Sequence, residues 1–191
     1  MSLIKLQGNA SGTGAFTIAA PNGNTDRTLT LPDNTGTILT SASTSVLPKG
    51  GPAFSVYYTG AGQSLTQNGW TKITLNTEEY DTASCFDATT NYRFTPTVAG
   101  HYQFSGNVEL TTPGSIACTL YKNGSEFKRG VNLTSGSATA YTSGTGLSSL
   151  IYLNGTTDYV EMYAYVNNSG ASTASTAVYR NYLTGFLARA D

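Results

Sequence analysis

Residues 101–110 read HYQFSGNVEL, and their strict alternation decides the fold of this chain. One set of alternate positions is apolar or small: Tyr102, Phe104, Gly106, Val108 and Leu110. The other set is polar: His101, Gln103, Ser105, Asn107 and Glu109. Because successive side chains of a β-strand point to opposite faces, the pattern predicts a strand with one face in a core and the other in solvent.

The rest of residues 52–191 continues as strands at regular spacing. We predict them at Ala53–Tyr58, Trp70–Leu75, Tyr92–Thr95, His101–Leu110, Ile116–Lys122, Glu126–Leu133, Leu147–Leu153, Asp158–Val166 and Ala177–Ala188. Asn123-Gly124 favours a two-residue hairpin turn. Helical periodicity is absent from every window of about 11 residues or more. Many strands joined by short turns predict an all-β sandwich or jelly roll, which we call the head.

Residues 1–51 form a second region with shorter alternating pieces, at 15–21, 27–32 and 37–40, punctuated by Gly, Asn and Pro. Pieces this small cannot bury an apolar side against each other. They would be ordered only when covered by other copies of the chain or by a docking partner. We therefore expect a stem or anchoring arm, which ends in a Ser/Gly/Pro linker at residues 41–51. A disordered leader is the alternative.

Composition excludes several classes of function. Ten Lys and Arg against 11 Asp and Glu give a net charge of −1, so we expect no nucleic-acid binding. No stretch reaches the about 20 apolar residues of a membrane span, and the start lacks the apolar core of a signal peptide. Cys118 alternates with apolar neighbours and is expected in the core, but a bridge to Cys85 stays open. Synthesis in a reducing cytosol fits these features.

Catalysis has no support in the sequence. His101 is the only histidine, and alternation places it on the polar side of its strand. Phosphate-cradling loops, nucleophile elbows and zinc-ligand spacings are absent. The acids Glu78, Glu79 and Asp81 are better explained as a solvated turn than as a calcium site. We expect no enzyme, no cofactor and no metal.

The predicted strand Asp158–Val166 carries large side chains on both faces. Its apolar face holds Val160, Met162, Ala164 and Val166, and its opposite face holds Tyr159, Glu161, Tyr163 and Tyr165. Three tyrosines on a solvated face are unusual and need cover. We predict that Tyr159, Tyr163 and Tyr165, here called the tyrosine stripe, lie in an oligomer interface.

Motifs spread along residues 52–191 resemble the complement C1q globular head, a member of the tumour-necrosis-factor-like (TNF-like) jelly rolls. The signature Phe, five residues, then Gly-x-Tyr-x-Phe matches Phe94 and residues 100–104. Further similar pieces follow in the family's order: Asp81 with Phe86, Leu120–Gly124, Leu153–Val160 and Thr184–Leu187. The resemblance implies a ten-stranded jelly roll that assembles as a tight homotrimer. Such a trimer would bury the tyrosine stripe.

Residues 28–39, TLTLPDNTGTIL, resemble linkers of bacteriophage fibre proteins. With the missing signal peptide and the expected trimeric head, this likeness favours a protein of the virion. Residues 1–50 would then bind other virion proteins.

Strand parity sorts the loops of the head between its two ends. If both termini of the head lie at the stem, then Thr111–Ser115, Asn132–Gly146 and Asn167–Thr176 lie at the far, distal end. They are long and rich in Ser, Thr, Asn and Gly, as recognition loops often are. An aromatic platform and amides suited to sugar hydroxyls are the best candidate receptor contacts: Tyr141, Asn132, Asn167 and Asn168.

These features together predict a phage fibre protein whose trimeric tip adheres to a host polysaccharide or protein receptor. A purely structural protein that decorates the head, neck or tail of the virion is the first alternative. A bacterial surface lectin or a secreted signalling ligand is the second.

Overall fold

The computed structural model describes residues 11–14, 17, 22–26, 28, 51–112, 114–134, 143–168, 170 and 172–191. The chain divides into two compact units, Met1–Ile38 and Leu39–Asp191. In the first unit, residues 22–25 form a bend at the predicted Asn22-Gly23-Asn24 turn. The strands predicted for residues 1–50 and the linker at 41–51 fall almost wholly outside the described residues. The predicted boundary after residue 51 stays a prediction.

The described residues form thirteen β-strands and no helix, where ten strands were expected. The strands are β1 (Ala53–Tyr57), β2 (Ser64–Leu65), β3 (Gly69–Lys72), β4 (Thr77–Asp81), β5 (Phe86–Asp87), β6 (Arg93–Phe94), β7 (Gly100–Glu109), β8 (Ser115–Lys122), β9 (Ser125–Thr134), β10 (Gly144–Leu153), β11 (Val160–Asn167), β12 (Ser172–Thr173) and β13 (Tyr182–Ala190). The all-β prediction is confirmed.

Two five-stranded antiparallel sheets make up the sandwich. The first sheet has the order β10-β7-β13-β1-β4, and the second has the order β5-β6-β11-β8-β9. β2 and β12 form a small separate pair. β3 runs beside β11, where the backbone N–H of Ile73 donates to the carbonyl of Met162 at 2.9 Å.

The core lies between the two sheets and follows the alternation predicted from the sequence. Every even-numbered residue of β7 is buried, and the odd-numbered ones lie on the outer face of the first sheet. Phe54 stacks on Phe94 with ring centroids 4.5 Å apart, and Phe104 packs beside both rings. Burial of these rings is the main stabilising term of the head. Cys85 and Cys118 are both buried, and both are free thiols.

One predicted strand begins too early, and four short strands were missed. The final strand starts at Tyr182 rather than at Ala177, because Ala177–Arg180 is a turn closed by a hydrogen bond from the N–H of Arg180 to the carbonyl of Ala177 at 3.1 Å. Three of the missed strands, β2, β5 and β12, have two residues each, which is too few for a periodic signal. The fourth, β4, is a mostly exposed edge strand and has no apolar face.

The predicted hairpin between β8 and β9 is present. Asn123 and Gly124 have φ values of 53° and 78°, as a two-residue turn of this twist requires. The side chain of Asn123 ties the turn to the segment before β11: its Nδ2 donates to Asp158 Oδ1 at 2.7 Å, and its Oδ1 accepts from the N–H of Tyr159 at 3.0 Å.

Candidate functional site

One end of the head holds the described parts of all three loops that parity assigned to the distal end. The N–H of Thr111 donates to the carbonyl of Thr173 at 2.9 Å, and the N–H of Gly114 donates to Ser143 Oγ at 3.0 Å. The opposite, proximal end contains Pro52, whose carbonyl accepts from the N–H of Leu187 at 3.0 Å. The described parts of the three loops therefore lie at the end of the head opposite to Pro52.

A further segment, residues 59–68, joins the distal end and was missed in the sequence. Its strand β2 pairs with β12, and the N–H of Ala174 donates to the carbonyl of Gln63 at 2.9 Å. Gln67 Nε2 donates to the carbonyl of Asn168. Gly60 and Gly62, both with positive φ, were the available signal for a tight excursion of the chain.

The four predicted receptor contacts differ in what they can offer. Asn132 on β9 and Asn167 at the end of β11 are exposed. Asn168 is half-buried, and its Nδ2 donates to Ser172 Oγ, so this amide braces its own loop. Tyr141 lies outside the described residues. Receptor binding by these residues stays a prediction.

The turn at Ala177–Arg180 also lies at the distal end, between β12 and β13. Its two central side chains are among the most exposed apolar groups of the described residues, with 48% of Val178 and 72% of Tyr179 in contact with solvent. Sequence reasoning missed the turn because residues 177–182, AVYRNY, contain no Gly or Pro and include residues typical of strands.

Asn181, directly after that turn, is fully buried and saturated with hydrogen bonds. Its Oδ1 accepts from the N–H of Glu109 at 2.8 Å, and its Nδ2 donates to the carbonyl of Ser175 at 2.7 Å. The carbonyl of Asn181 accepts from the N–H of Tyr58 at 2.9 Å. A buried amide must satisfy its polar atoms, so this residue ties the turn to β7 and to the chain after β1.

The described part of the distal surface is almost without charge. Residues 59–68, 111–115, 132–146 and 167–179 contain no Asp, Glu, Lys or Arg. The ion pair between Arg180 and Glu109 stands beside them. Electrostatic attraction therefore contributes little to any binding through these loops.

The tyrosine stripe lies on the outer face of the second sheet, where its own chain covers much of it. Tyr163 stacks on Tyr121 with centroids 3.9 Å apart, and the Arg93 guanidinium lies 4.3 Å from the Tyr159 centroid. Desolvation raises the pKa of Tyr163 to about 12. All three tyrosines are half-buried. Because its own chain covers much of the stripe, exposure of the tyrosines is no longer an argument for an oligomer interface. Their place in such an interface stays a prediction.

The outer face of the first sheet carries the larger exposed apolar surface. Its large apolar side chains come from four strands: Tyr57, Tyr80, Leu150, Tyr152, Tyr182 and Phe186. Half of the Phe186 side chain, 52%, is in contact with solvent. Sequence reasoning missed this face because its apolar residues are spread singly over different strands.

The residues weighed for catalysis or metal binding do not converge. His101 is half-buried on the outer face of the first sheet, with its ring centroid 5.4 Å from that of Tyr152. Glu79 accepts a hydrogen bond from Ser55 Oγ at 2.8 Å, and Asp81 caps the turn that follows β4. Among the described residues, no three His, Cys, Asp or Glu side chains are placed to hold a metal ion. The described part also contains no helix long and apolar enough to cross a membrane.

The sequence matches no family model and no curated protein, but solved structures share its architecture. Eiger TNF from S. frugiperda aligns over 74% of this chain and 94% of its own, with a TM-score of 0.57 and 9% identity. Murine APRIL, crystallised at pH 5.0, aligns over 72% and 98%, with a TM-score of 0.54 and 10% identity. The head is a TNF-like jelly roll.

A viral protein has the same jelly roll. The PRD1 vertex protein P5 aligns over 73% of this chain and 99% of its own, with a TM-score of 0.52 and 20% identity. Identities this low establish the common fold alone.

Proposed function

We propose that this chain is a non-catalytic bacteriophage virion protein, a homotrimer whose head adheres to the host cell surface by its distal end. The observation that carries the proposal is the difference between the two ends of the head. Pro52, next to the preceding segment in sequence, lies at the proximal end, and the long loops gather at the distal end. That arrangement suits a tip held on a stem.

The fold and the first fifty residues support the virion assignment. The head shares its jelly roll with a phage vertex protein. Residues 28–39 resemble linkers of phage fibres. In this proposal residues 1–50 attach the head to other virion proteins.

The outer face of the first sheet supplies the surface for a trimer. A second copy would remove its scattered large side chains from water. Burial of apolar area would stabilise the contact by about 25 cal/mol per Å². The edge strand β9 of the second sheet exposes a further apolar set: Phe127, Val131 and Leu133. Two different apolar surfaces on one chain suit a head-to-tail contact, which closes into a ring when the rotation between copies allows it. A trimer would present three weak tips together and gain avidity.

Location on the particle tests the virion assignment. Antibodies raised against the full chain should label purified virus particles from the source. Particles that carry no label would refute the assignment and favour a bacterial lectin or a secreted ligand.

Competition tests adhesion. The purified full chain should block adsorption of those particles to host cells. A variant with residues 135–142 deleted should block adsorption less while keeping the same number of chains in the oligomer. Labelled particles whose adsorption the chain does not affect would identify a decoration protein.

A further inference from the structure

The turn at Ala177–Arg180 holds out an aromatic ring at the distal end of the head. Tyr179 is the most exposed large hydrophobic side chain of the described residues, at 72%, and Val178 beside it is exposed as well. A tyrosine ring combines a large, rigid apolar body with a polar tip, so an exposed one is well suited to contact a partner. The position of the turn makes a partner of the distal end the natural cover.

Hydrogen bonds to the rest of the head hold the backbone of the turn that carries this ring. Asn107 Nδ2 donates to the carbonyl of Arg180 at 2.6 Å, and the fully buried Asn181 bonds to β7 and to Ser175. The N–H of Ala177 donates to Ser175 Oγ at 3.3 Å. A partner would therefore meet a turn that is already ordered, and binding would lose little conformational freedom of the backbone.

The two faces of the Tyr179 ring differ. The Arg180 guanidinium lies over one face, 5.4 Å from the ring centroid, and also pairs with Glu109. The high exposure of the ring leaves the rest of its surface to solvent. An aromatic face next to hydrogen-bonding groups suits a pyranose ring, which has an apolar C–H face and a rim of hydroxyl groups.

The chemistry around the turn selects an uncharged partner. The four neighbouring distal segments carry no charged residue and are rich in Ser, Thr, Asn and Gly. An anionic polysaccharide would find no free row of cations there, because Arg180 already pairs with Glu109. Hydroxyl and amide groups instead match the donors and acceptors of a neutral sugar.

We propose that Val178 and Tyr179 form the principal contact of the head with a neutral polysaccharide, the Tyr179 ring stacking on a sugar. This inference rests on the adhesion proposed above and names its site and ligand class. It differs from the loop asparagines predicted from the sequence, because it places the main contact on the turn before β13.

Native affinity electrophoresis of the full chain tests the inference. Gels would contain one of four neutral pyranose polymers, dextran, mannan, galactan or pullulan, or one of two charged ones, alginate or dextran sulfate. At least one neutral polymer should retard the wild-type chain. Tyr179→Ala should raise the dissociation constant about tenfold or more, as for an aromatic hot spot, and Tyr179→Phe should keep most of the retardation because it keeps the ring.

Val98→Ala is the control, since Val98 is an exposed apolar residue outside the distal segments and outside both apolar surfaces of the proposed trimer. It should leave the retardation unchanged, and all variants should keep the wild-type mass and melting temperature. Equal retardation of Tyr179→Ala and wild type would overturn the inference. Retardation by charged polymers only, or by none of the six, would also overturn it.

The two proposals can fail separately. Unlabelled virus particles together with Tyr179-dependent retardation would refute the virion role and keep this site. Labelled particles together with a wild-type chain that no neutral polymer retards would keep the virion role and refute this site.

Discussion

The indole ring of Trp70 lies over the outer face of the second sheet, with its centroid 5.4 Å from that of Tyr165. Arg129 in turn lies 5.0 Å from the Trp70 ring centroid. Thr119, which belongs to the same outer face of β8, is completely buried, and its hydroxyl donates to the carbonyl of Lys128 at 2.9 Å. The second sheet thus has a small aromatic layer on the side that faces away from the main core.

Trp70→Ala should remove this layer and lower the free energy of unfolding by about 2 kcal/mol, less than for a fully buried aromatic because the side chain is only half-buried. Trp70→Phe should lower the free energy of unfolding by less than Trp70→Ala does. Urea unfolding followed by circular dichroism measures both. The mass in solution should stay that of wild type, because Trp70 belongs to neither apolar surface of the proposed trimer.

Phe186→Asp should dissociate the trimer. A carboxylate at the centre of the first sheet's outer face would have to be desolvated without a partner, at a cost of several kcal/mol per interface. Light scattering should give three chains for wild type and one for the variant. Val178→Asp, equally exposed but at the distal turn, should remain a trimer. Wild-type mass of one chain would contradict the trimer itself.

Acid should destabilise the head through Asp158. Desolvation opposes ionisation of this carboxyl, but hydrogen bonds from Asn123, Lys122 and the N–H of Asn154 outweigh it and hold the pKa below its ordinary value. The resulting stability is full above the unfolded pKa of about 3.9 and is lost as pH falls through the lower folded pKa. Melting temperatures from pH 7 to pH 2 should show this loss.

Asp158→Asn should be less stable than wild type at pH 7. Its melting temperature should fall less than that of wild type on acidification. Lys122→Met, which breaks the 2.9 Å ion pair from the other side, should also lower stability at pH 7. If Asp158→Asn and wild type had parallel acid profiles, the proposed role of this carboxyl would be wrong.

Gly155 should tolerate no side chain. Its φ is 71°, and a Cβ there would lie 2.4 Å from the backbone N of Ala99. Gly155→Ala should therefore cost about 3 kcal/mol from strain and overlap together. Gly124→Ala has a similar φ of 78°, but its Cβ would meet only the Tyr159 hydroxyl at 3.4 Å, so about 1 kcal/mol is expected. Equal losses would show that overlap is relieved by movement of the chain.

Both thiols should be unreactive in the native head. Burial raises the pKa of the Cys118 thiol to about 12 and also raises that of Cys85. Since the thiolate is the reactive form, a chromogenic disulfide reagent should titrate neither cysteine without denaturant and both in urea. Rapid reaction of one thiol in buffer would mean that its surroundings open easily.

The central strands could be predicted from the sequence because apolar residues recur in them at alternate positions. β7, β8 and β11 lie within one or two residues of their predicted bounds. The hairpin at Asn123 was predictable because its turn needs the residues found there. β2 and β12 gave no such signal, since two-residue strands are held by pairing between distant segments.

Sequence reasoning also placed the tyrosine stripe on the correct strand and face, but it could not see what covers it. Trp70 reaches the stripe from β3, a pairing between segments far apart in the chain. The Ala177–Arg180 turn was missed for a similar reason. It depends on Asn181, whose hydrogen bonds run to Glu109 and Ser175, and the sequence does not indicate where the amide of an asparagine will bond.

The lack of charge in the distal segments has a consequence for where such a tip can work. Salt weakens attraction between exposed charges, with a screening length of about 30 Å at 0.01 M and about 3 Å at 1 M. Segments without charged residues leave dissolved ions almost nothing to screen. A tip of this kind would hold a neutral surface about equally well in fresh water and in brine.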